Sequence, residues 1–239
     1  MGAVRSIARF SLPFWQVVST RMVKLQTKRD KNRIQWLKRG DAESGDLTLF
    51  WLGQAGFVLT FAGKLFMIDP YLSDFLAKKY KGKKFSHKRM APSPIAPAQI
   101  KEMDWVLCSH KHSDHMDPET LLPLLQNTNC QFVVPNAVSD RAIEIGIPKS
   151  RMLGVNADRR YRLADDITLF PIPSAHEELV TNDLGEHHFL GFILDFGGIR
   201  LYHSGDCRPY GDLEKKVAEA NVDVALLPVN GRDEYRKAN

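Results

Sequence analysis

The run Ser109-His110-Lys111-His112-Ser113-Asp114-His115 holds three of the chain's eight histidines within six residues, with a carboxylate between them. Imidazole and carboxylate are donors that suit zinc, manganese or iron. His110 and His112 are two apart, so in extended backbone both side chains point to one side, where they can share one divalent ion. Asp114 and His115 follow as the chain turns and can face a second ion beside the first. Two elements must position this run. Before it, Trp105-Val106-Leu107-Cys108 is apolar and strand-like. After it, Met116-Asp117-Pro118-Glu119-Thr120 reads as a helix start, with Asp117 as N-cap and Pro118 at the first helical position. The motif therefore lies on a loop between the C-terminal end of a strand and the N-terminus of a helix, where open α/β sheets place their chemistry.

Other segments supply further groups of the same kind. A strand over Ile167–Ile172 runs into Pro173-Ser174-Ala175-His176, so His176 also lies at a strand's C-terminal end. A hairpin pairs Phe189–Phe196 with Ile199–Tyr202 across Gly197-Gly198 and closes on Ser204-Gly205-Asp206. An earlier hairpin pairs Phe57–Phe61 with Lys64–Ile68 and ends at Asp69-Pro70. Asp69 reads equally as a turn-initiating residue before proline and as a carboxylate that orients a ligand histidine. His187 and His188 read as solvent-facing or substrate-side, His203 as a core or supporting group, and Cys207 as a small buried thiol.

The motif His110-x-His112-x-Asp114-His115 resembles the signature of the metallo-β-lactamase superfamily. Phe50-Trp51-Leu52-Gly53-Gln54-Ala55-Gly56-Phe57, Ile68-Asp69-Pro70-Tyr71 and Leu201-Tyr202-His203-Ser204-Gly205-Asp206 resemble its L-ascorbate-6-phosphate lactonase-like branch. More loosely, they resemble its N-acylphosphatidylethanolamine phospholipase D-like branch. The resemblance covers roughly residues 47 to 239. It implies an α/β fold of four layers, an αβ/βα sandwich with a metal site at one edge.

The resemblance also implies roles for individual residues. His110, His112 and His176 would hold a first metal, and Asp114 and His115 a second. Asp206 would bridge the two, because divalent ions about 3.5–4 Å apart repel unless an anion lies between them. The implied cofactors are divalent ions, zinc or manganese, one or two per chain. They would bring the pKa of bound water to ~7 and yield a hydroxide that opens an ester, lactone or phosphodiester. Asp114 and Asp206 are thus the catalytic carboxylates. The implied substrate is a small anionic molecule such as a phosphorylated sugar lactone, with Arg208 and Arg232 as candidate phosphate clamps. Two rival readings are a phospholipid or nucleic-acid phosphodiesterase and a non-catalytic metal-binding protein. The superfamily supplies one more histidine to the second metal from beyond the bridging Asp, and no residue after Asp206 is His. The expectation is therefore a sandwich whose second half is incomplete, with residues 1–45 as a basic extension and 46–239 as the hydrolase domain.

Charge and composition bound the remaining classes. The net charge is +5, but residues 1 to 40 hold ten of the 33 basic residues and one of the 28 acidic ones. The basicity belongs to that arm, so a nucleic-acid partner, which asks for a basic face on the body, is not expected. The arm also carries Phe10, Leu12, Phe14, Trp15, Val17 and Val18. It is expected to pack on the domain with its charges solvated rather than to bind anionic lipid. Residues 73 to 97 read as a lysine- and proline-rich loop. Three cysteines far apart fit a reducing cytoplasm rather than a disulfide framework, and no apolar run reaches the length of a membrane span. Apolar surface left by an incomplete half-domain would favour homo-oligomers.

Overall fold

The computed structural model describes residues 8–12, 15–19, 24–25, 39, 43 and 45–229, the strands before residue 39 by their backbone alone. In chain order the strands are β1 (Ala8–Leu12), β2 (Trp15–Ser19), β3 (Lys24–Leu25), β4 (Thr48–Gly53), β5 (Gly56–Phe61), β6 (Lys64–Ile68), β7 (Trp105–Leu107), β8 (Gln131–Pro135), β9 (Met152–Val155), β10 (Tyr161–Ala164), β11 (Ile167–Pro173), β12 (Leu190–Phe196), β13 (Ile199–His203) and β14 (Val224–Pro228). The α-helices are α1 (Phe75–Lys79), α2 (Pro118–Asn127), α3 (Ser139–Ile145) and α4 (Leu213–Glu219). The class is mixed α/β, as expected, and the described residues form two seven-stranded sheets. The chain divides into two compact units, each built on one sheet.

The first unit comprises residues 24–134 and 138–154. Its sheet has the order β3-β4-β5-β6-β7-β8-β9. β4, β5 and β6 are antiparallel neighbours, and β6, β7 and β8 run parallel. The period-2 pleat sorts their side chains onto two faces. Phe50, Leu52, Val58, Leu65, Met67, Val106, Phe132 and Val134 join Leu121 and Leu124 of α2 and Ala142 and Ile145 of α3 in one cluster. The alternate positions Leu49, Phe57, Leu59, Phe66, Ile68, Leu107 and Val133 are also fully buried, on the opposite face. That double burial explains why these strands read as continuous apolar runs. Each fully buried Leu, Ile or Phe contributes roughly 1.5–3 kcal/mol, so burial fixes the register of the strands.

Asp117 caps α2 by accepting from Glu119 N–H at 3.1 Å, with Pro118 at the first helical position. Its second oxygen accepts from Thr120 Oγ1, and Thr120 Oγ1 in turn accepts from Leu72 N–H at 3.0 Å. The cap thus ties the chain after β6 to α2. Within the lysine-rich stretch the structure departs from the expected loop: Phe75–Lys79 forms the single-turn helix α1, which buries Leu76.

The second unit comprises residues 1–23, 135–137 and 155–239. Its sheet has the order β1-β2-β14-β13-β12-β11-β10. β12 is antiparallel to both β11 and β13, so β11 and β13 run in the same direction and end at the same sheet edge. Ile172, Ile193 and Tyr202 form the core of one face, with Leu213 and Val217 of α4 packed against them. The stretch before residue 46 contributes β1 and β2 to this sheet and β3 to the other. No helix among the described residues is long and apolar enough to cross a membrane.

Candidate metal centre

In the first unit the histidine loop follows β7. Ile68 pairs with Leu107 in the parallel register, so Asp69 and Ser109 emerge from the C-terminal ends of adjacent strands. Asp69 N–H donates to Leu107 O at 2.8 Å and Cys108 N–H donates to Val133 O at 2.9 Å, which carries the sheet up to the loop. The chain then turns, with both His115 N–H and Met116 N–H donating to His112 O at 3.0 and 2.7 Å. That turn folds His115 back beside His110. The rings of His110 and His115 lie 4.0 Å apart between centroids, and those of His110 and His112 lie 4.6 Å apart, edge to face. His110 Nε2 and His112 Nδ1 face each other at 3.0 Å. Two nitrogens on one zinc at ~2.0–2.1 Å sit roughly 3.3 Å apart at a tetrahedral angle, so this pair is spaced as ligands of one ion. Asp114 Oδ2 is 3.9 Å from His115 Nε2, and its carboxylate is 29% exposed. An imidazole cluster with a carboxylate at its open side is a donor set for a borderline divalent ion.

Behind the imidazoles lies Asp69, fully buried and at φ +44°. Asp69 both makes a turn and holds a histidine. It ends β6 in the left-handed region that Asp tolerates, and its Oδ2 accepts from His115 Nδ1 at 2.8 Å. Its carboxylate also accepts from Ser109 N–H at 2.7 Å and Ser109 Oγ at 2.6 Å. With Nδ1 engaged, His115 presents Nε2 to a ligand.

The second unit assembles the other expected donors by itself. His176 follows β11 and Asp206 follows β13, strands whose ends share an edge. Their loops are tied together by Arg208 N–H donating to Ala175 O at 2.7 Å and Ser174 Oγ donating to Ser204 O at 3.0 Å. Gly205 makes the turn at φ +59°, a conformation an L side chain rarely takes. The outcome is a pair: His176 Nε2 lies 3.9 Å from Asp206 Oδ2, each side chain 13% exposed. Phe189 packs against the His176 ring at 5.3 Å.

The remaining site candidates fall as follows. Arg208 Nη1 is 2.8 Å from Glu177 Oε2, so this guanidinium already has a carboxylate partner. Arg232 lies outside the described residues. His203 is fully buried and its Nδ1 accepts from Gly205 N–H at 3.1 Å, a supporting role in the turn. Cys207 is buried and its thiol donates to Arg208 O at 3.3 Å. His187 is half-buried, and burial holds its imidazole below its ordinary pKa. Ser109 was not among the candidates. A serine next to a ligand histidine carries no signal of its own in one sequence.

Residues 65–238 match the family model described as Beta-lactamase superfamily domain. The chain belongs to that superfamily. A protein named as a metal-dependent hydrolase, from Caldivirga maquilingensis, is 26% identical over 77% of this chain and 70% of its own length. Another, from Pyrobaculum aerophilum, is 26% identical over 75% of this chain and 70% of its own. Among solved structures, an isothiocyanate hydrolase from Delia radicum gut bacteria has a TM-score of 0.56 at 19% identity, covering 73% of this chain and 68% of that one. A diiron β-hydroxylase from Streptomyces venezuelae has a TM-score of 0.52 at 21% identity, covering 74% of this chain. The chain spans about a third of that hydroxylase, 33% of its length. Similar folds thus serve an isothiocyanate hydrolase and a diiron β-hydroxylase, so chemistry has to be argued from the site.

Proposed function

We propose that this chain is a metal-dependent hydrolase whose metal donors, as its resemblance to the superfamily implies, are His110, His112, Asp114, His115, His176 and Asp206. The observation that carries the reading is the convergence of His110, His112 and His115 from one short loop, with buried Asp69 fixing His115 from behind. A cluster of three imidazoles, two of them buried, has little structural purpose. It costs the desolvation of polar rings where apolar side chains would pack better. A ligand that needs nitrogen donors gives that cost a return.

A divalent ion in this donor set supplies Lewis acidity and brings the pKa of water to ~7. This chain's own residues do the rest. Asp69 keeps the proton of His115 on Nδ1, so that Nε2 stays available as a donor. Asp114 and Asp206 would supply carboxylates that offset the positive charge of such an ion. Zinc and manganese both suit the set, and one or two ions per chain are compatible with it. The substrate is an ester, lactone or phosphodiester of a small anionic molecule, with a phosphorylated sugar lactone such as L-ascorbate 6-phosphate the first to try. Support for that choice comes from the segments around Gly53, Asp69 and Asp206 that resemble the lactonase-like branch. A phosphate on such a substrate would compete with Glu177 for Arg208.

The test is a hydrolysis screen of sugar-phosphate lactones, carboxylic esters and phosphodiesters on metal-free protein, with and without added zinc or manganese. Metal-dependent turnover of a lactone or ester, lost in His112→Ala, supports the reading. Turnover that is unchanged by strong chelators, or by His112→Ala, overturns it. Turnover confined to phosphodiesters would move the protein to the phosphodiesterase reading.

A further inference from the structure

We propose that Ser109 is a positioning residue that commits His110 to the tautomer with its proton on Nδ1, an inference that rests on the metal reading above. Ser109 is fully buried at the end of β7, and its hydroxyl is the hub of a small hydrogen-bond network. Its Oγ lies 2.6 Å from Asp69 Oδ2, 3.0 Å from His110 Nδ1 and 3.4 Å from His115 Nδ1. The direction of each bond follows from the inventory of protons. An ionised carboxylate only accepts, and a serine hydroxyl has one proton to give. At 2.6 Å from Asp69 that proton points at the carboxylate. Only lone pairs of Oγ then remain for the imidazoles, so His110 must donate from Nδ1.

The consequence reaches the metal face. A neutral imidazole with its proton on Nδ1 has its lone pair on Nε2, and His110 Nε2 is the atom that faces His112 at 3.0 Å. Asp69 imposes the same state on His115 directly, through Oδ2 at 2.8 Å from Nδ1. One buried carboxylate thus sets two histidines: one by contact, the other by way of a serine that reverses the sense of the bond. Without the serine hydroxyl, His110 Nδ1 would lose the Oγ lone pair that holds its proton there. The competing tautomer, with the proton on Nε2 and the donor atom turned away from the site, would then become populated. Ser109 also spends its backbone N–H on Asp69 Oδ1 at 2.7 Å, which holds the hydroxyl and the carboxylate in register.

The experiment has two parts. In metal-free wild-type protein, above the pH at which imidazoles are protonated, nitrogen-15 spectra of the histidine rings report the tautomer of each. His110 and His115 are expected as the Nδ1–H form. A His110 ring carrying its proton on Nε2 would overturn the proposal, and this part requires no substitution to fold. In the second part, zinc affinity is measured by competition with a chromophoric chelator for wild type, Ser109→Ala and Ser109→Cys, with melting temperatures recorded alongside. Ser109→Ala is expected to bind zinc about 10–100-fold more weakly, the loss typical of residues that orient metal ligands, and to show a mixed His110 tautomer. Ser109→Cys keeps the side-chain volume close but is a poor acceptor, so it should fall in the same direction. Unchanged affinity and an unchanged tautomer in a folded Ser109→Ala protein would refute the role. If wild type itself binds no zinc or manganese, the metal reading fails, whereas the tautomer spectra still decide the serine's part.

Discussion

Replacing Asp69 perturbs the point where fold and site meet. The buried carboxylate accepts three hydrogen bonds, from Ser109 N–H, Ser109 Oγ and His115 Nδ1. Asp69→Ala removes both acceptor oxygens from these three donors at a site with no solvent exposure. A buried donor left without a partner costs about 1–3 kcal/mol, and the Ser109 hydroxyl can rotate to recover part of its loss. Two stranded donors then cost roughly 2–6 kcal/mol. Alanine must also adopt the left-handed φ of +44°, which adds about 1–2 kcal/mol. A total near 5 kcal/mol is comparable to the whole stability of a marginal domain, ~5–15 kcal/mol, so Asp69→Ala should be poorly folded. Asp69→Asn is the informative variant. Asparagine tolerates the left-handed conformation and keeps one acceptor oxygen, but its NH2 must confront either Ser109 or His115. The expected loss is about 1–3 kcal/mol in urea unfolding under excess chelator. Zinc binding should weaken by ~10–100-fold, because His115 loses its carboxylate. An Asp69→Asn protein with a wild-type urea midpoint and zinc affinity within about twofold of wild type would refute the reasoning.

Other perturbations test the scaffold. Leu121→Ala in α2 opens a cavity in the first unit's core and should cost about 2–5 kcal/mol by denaturant unfolding, given that Leu121 is fully buried. Gly53 sits at φ +100° with Arg89 Nη2 2.7 Å from where a Cβ would stand. Gly53→Ala should therefore destabilise by at least ~1–2 kcal/mol, and Arg89→Ala should relieve the clash but not the backbone strain. Burial raises the Cys130 thiol above its ordinary value of 9.0. The folded pKa exceeds the unfolded one, so this stabilisation is complete below pH 9.0 and is lost as pH rises through the folded value. Unfolding free energy should fall above that pH by up to about 1.4 kcal/mol per pH unit for this group, with a shallower slope in Cys130→Ala.

Much of the scaffold was legible because its signals are local. The hairpin β5–β6 announces itself by apolar runs about Ala62-Gly63, and α2 by Asp117-Pro118. What escaped depends on distant partners. β2 is a strand because it pairs with β14, some two hundred residues later, and nothing around Trp15 encodes that. β9 and β10 are short and only partly buried, so no strict alternation marks them. α1 hides in a lysine-rich run because one turn burying Leu76 makes too little pattern to see. The site divides the same way. His110, His112 and His115 stood out by type and spacing, and Asp206 by resemblance to the superfamily, whereas the contacts of Asp69 depended on the parallel pairing of β6 with β7. That pairing also sets Ser109 against it.

The proposed function assigns the histidine loop and the His176–Asp206 pair to one metal centre. The most direct measurement is zinc affinity, by chelator competition and metal analysis, for wild type, His112→Ala, His176→Ala and the double variant. The account predicts that each single substitution weakens the tightest-bound ion by at least ~10-fold. It also predicts that the double variant loses less than the product of the two, because both residues serve one ion. A His176→Ala protein with wild-type zinc affinity and stoichiometry would contradict it.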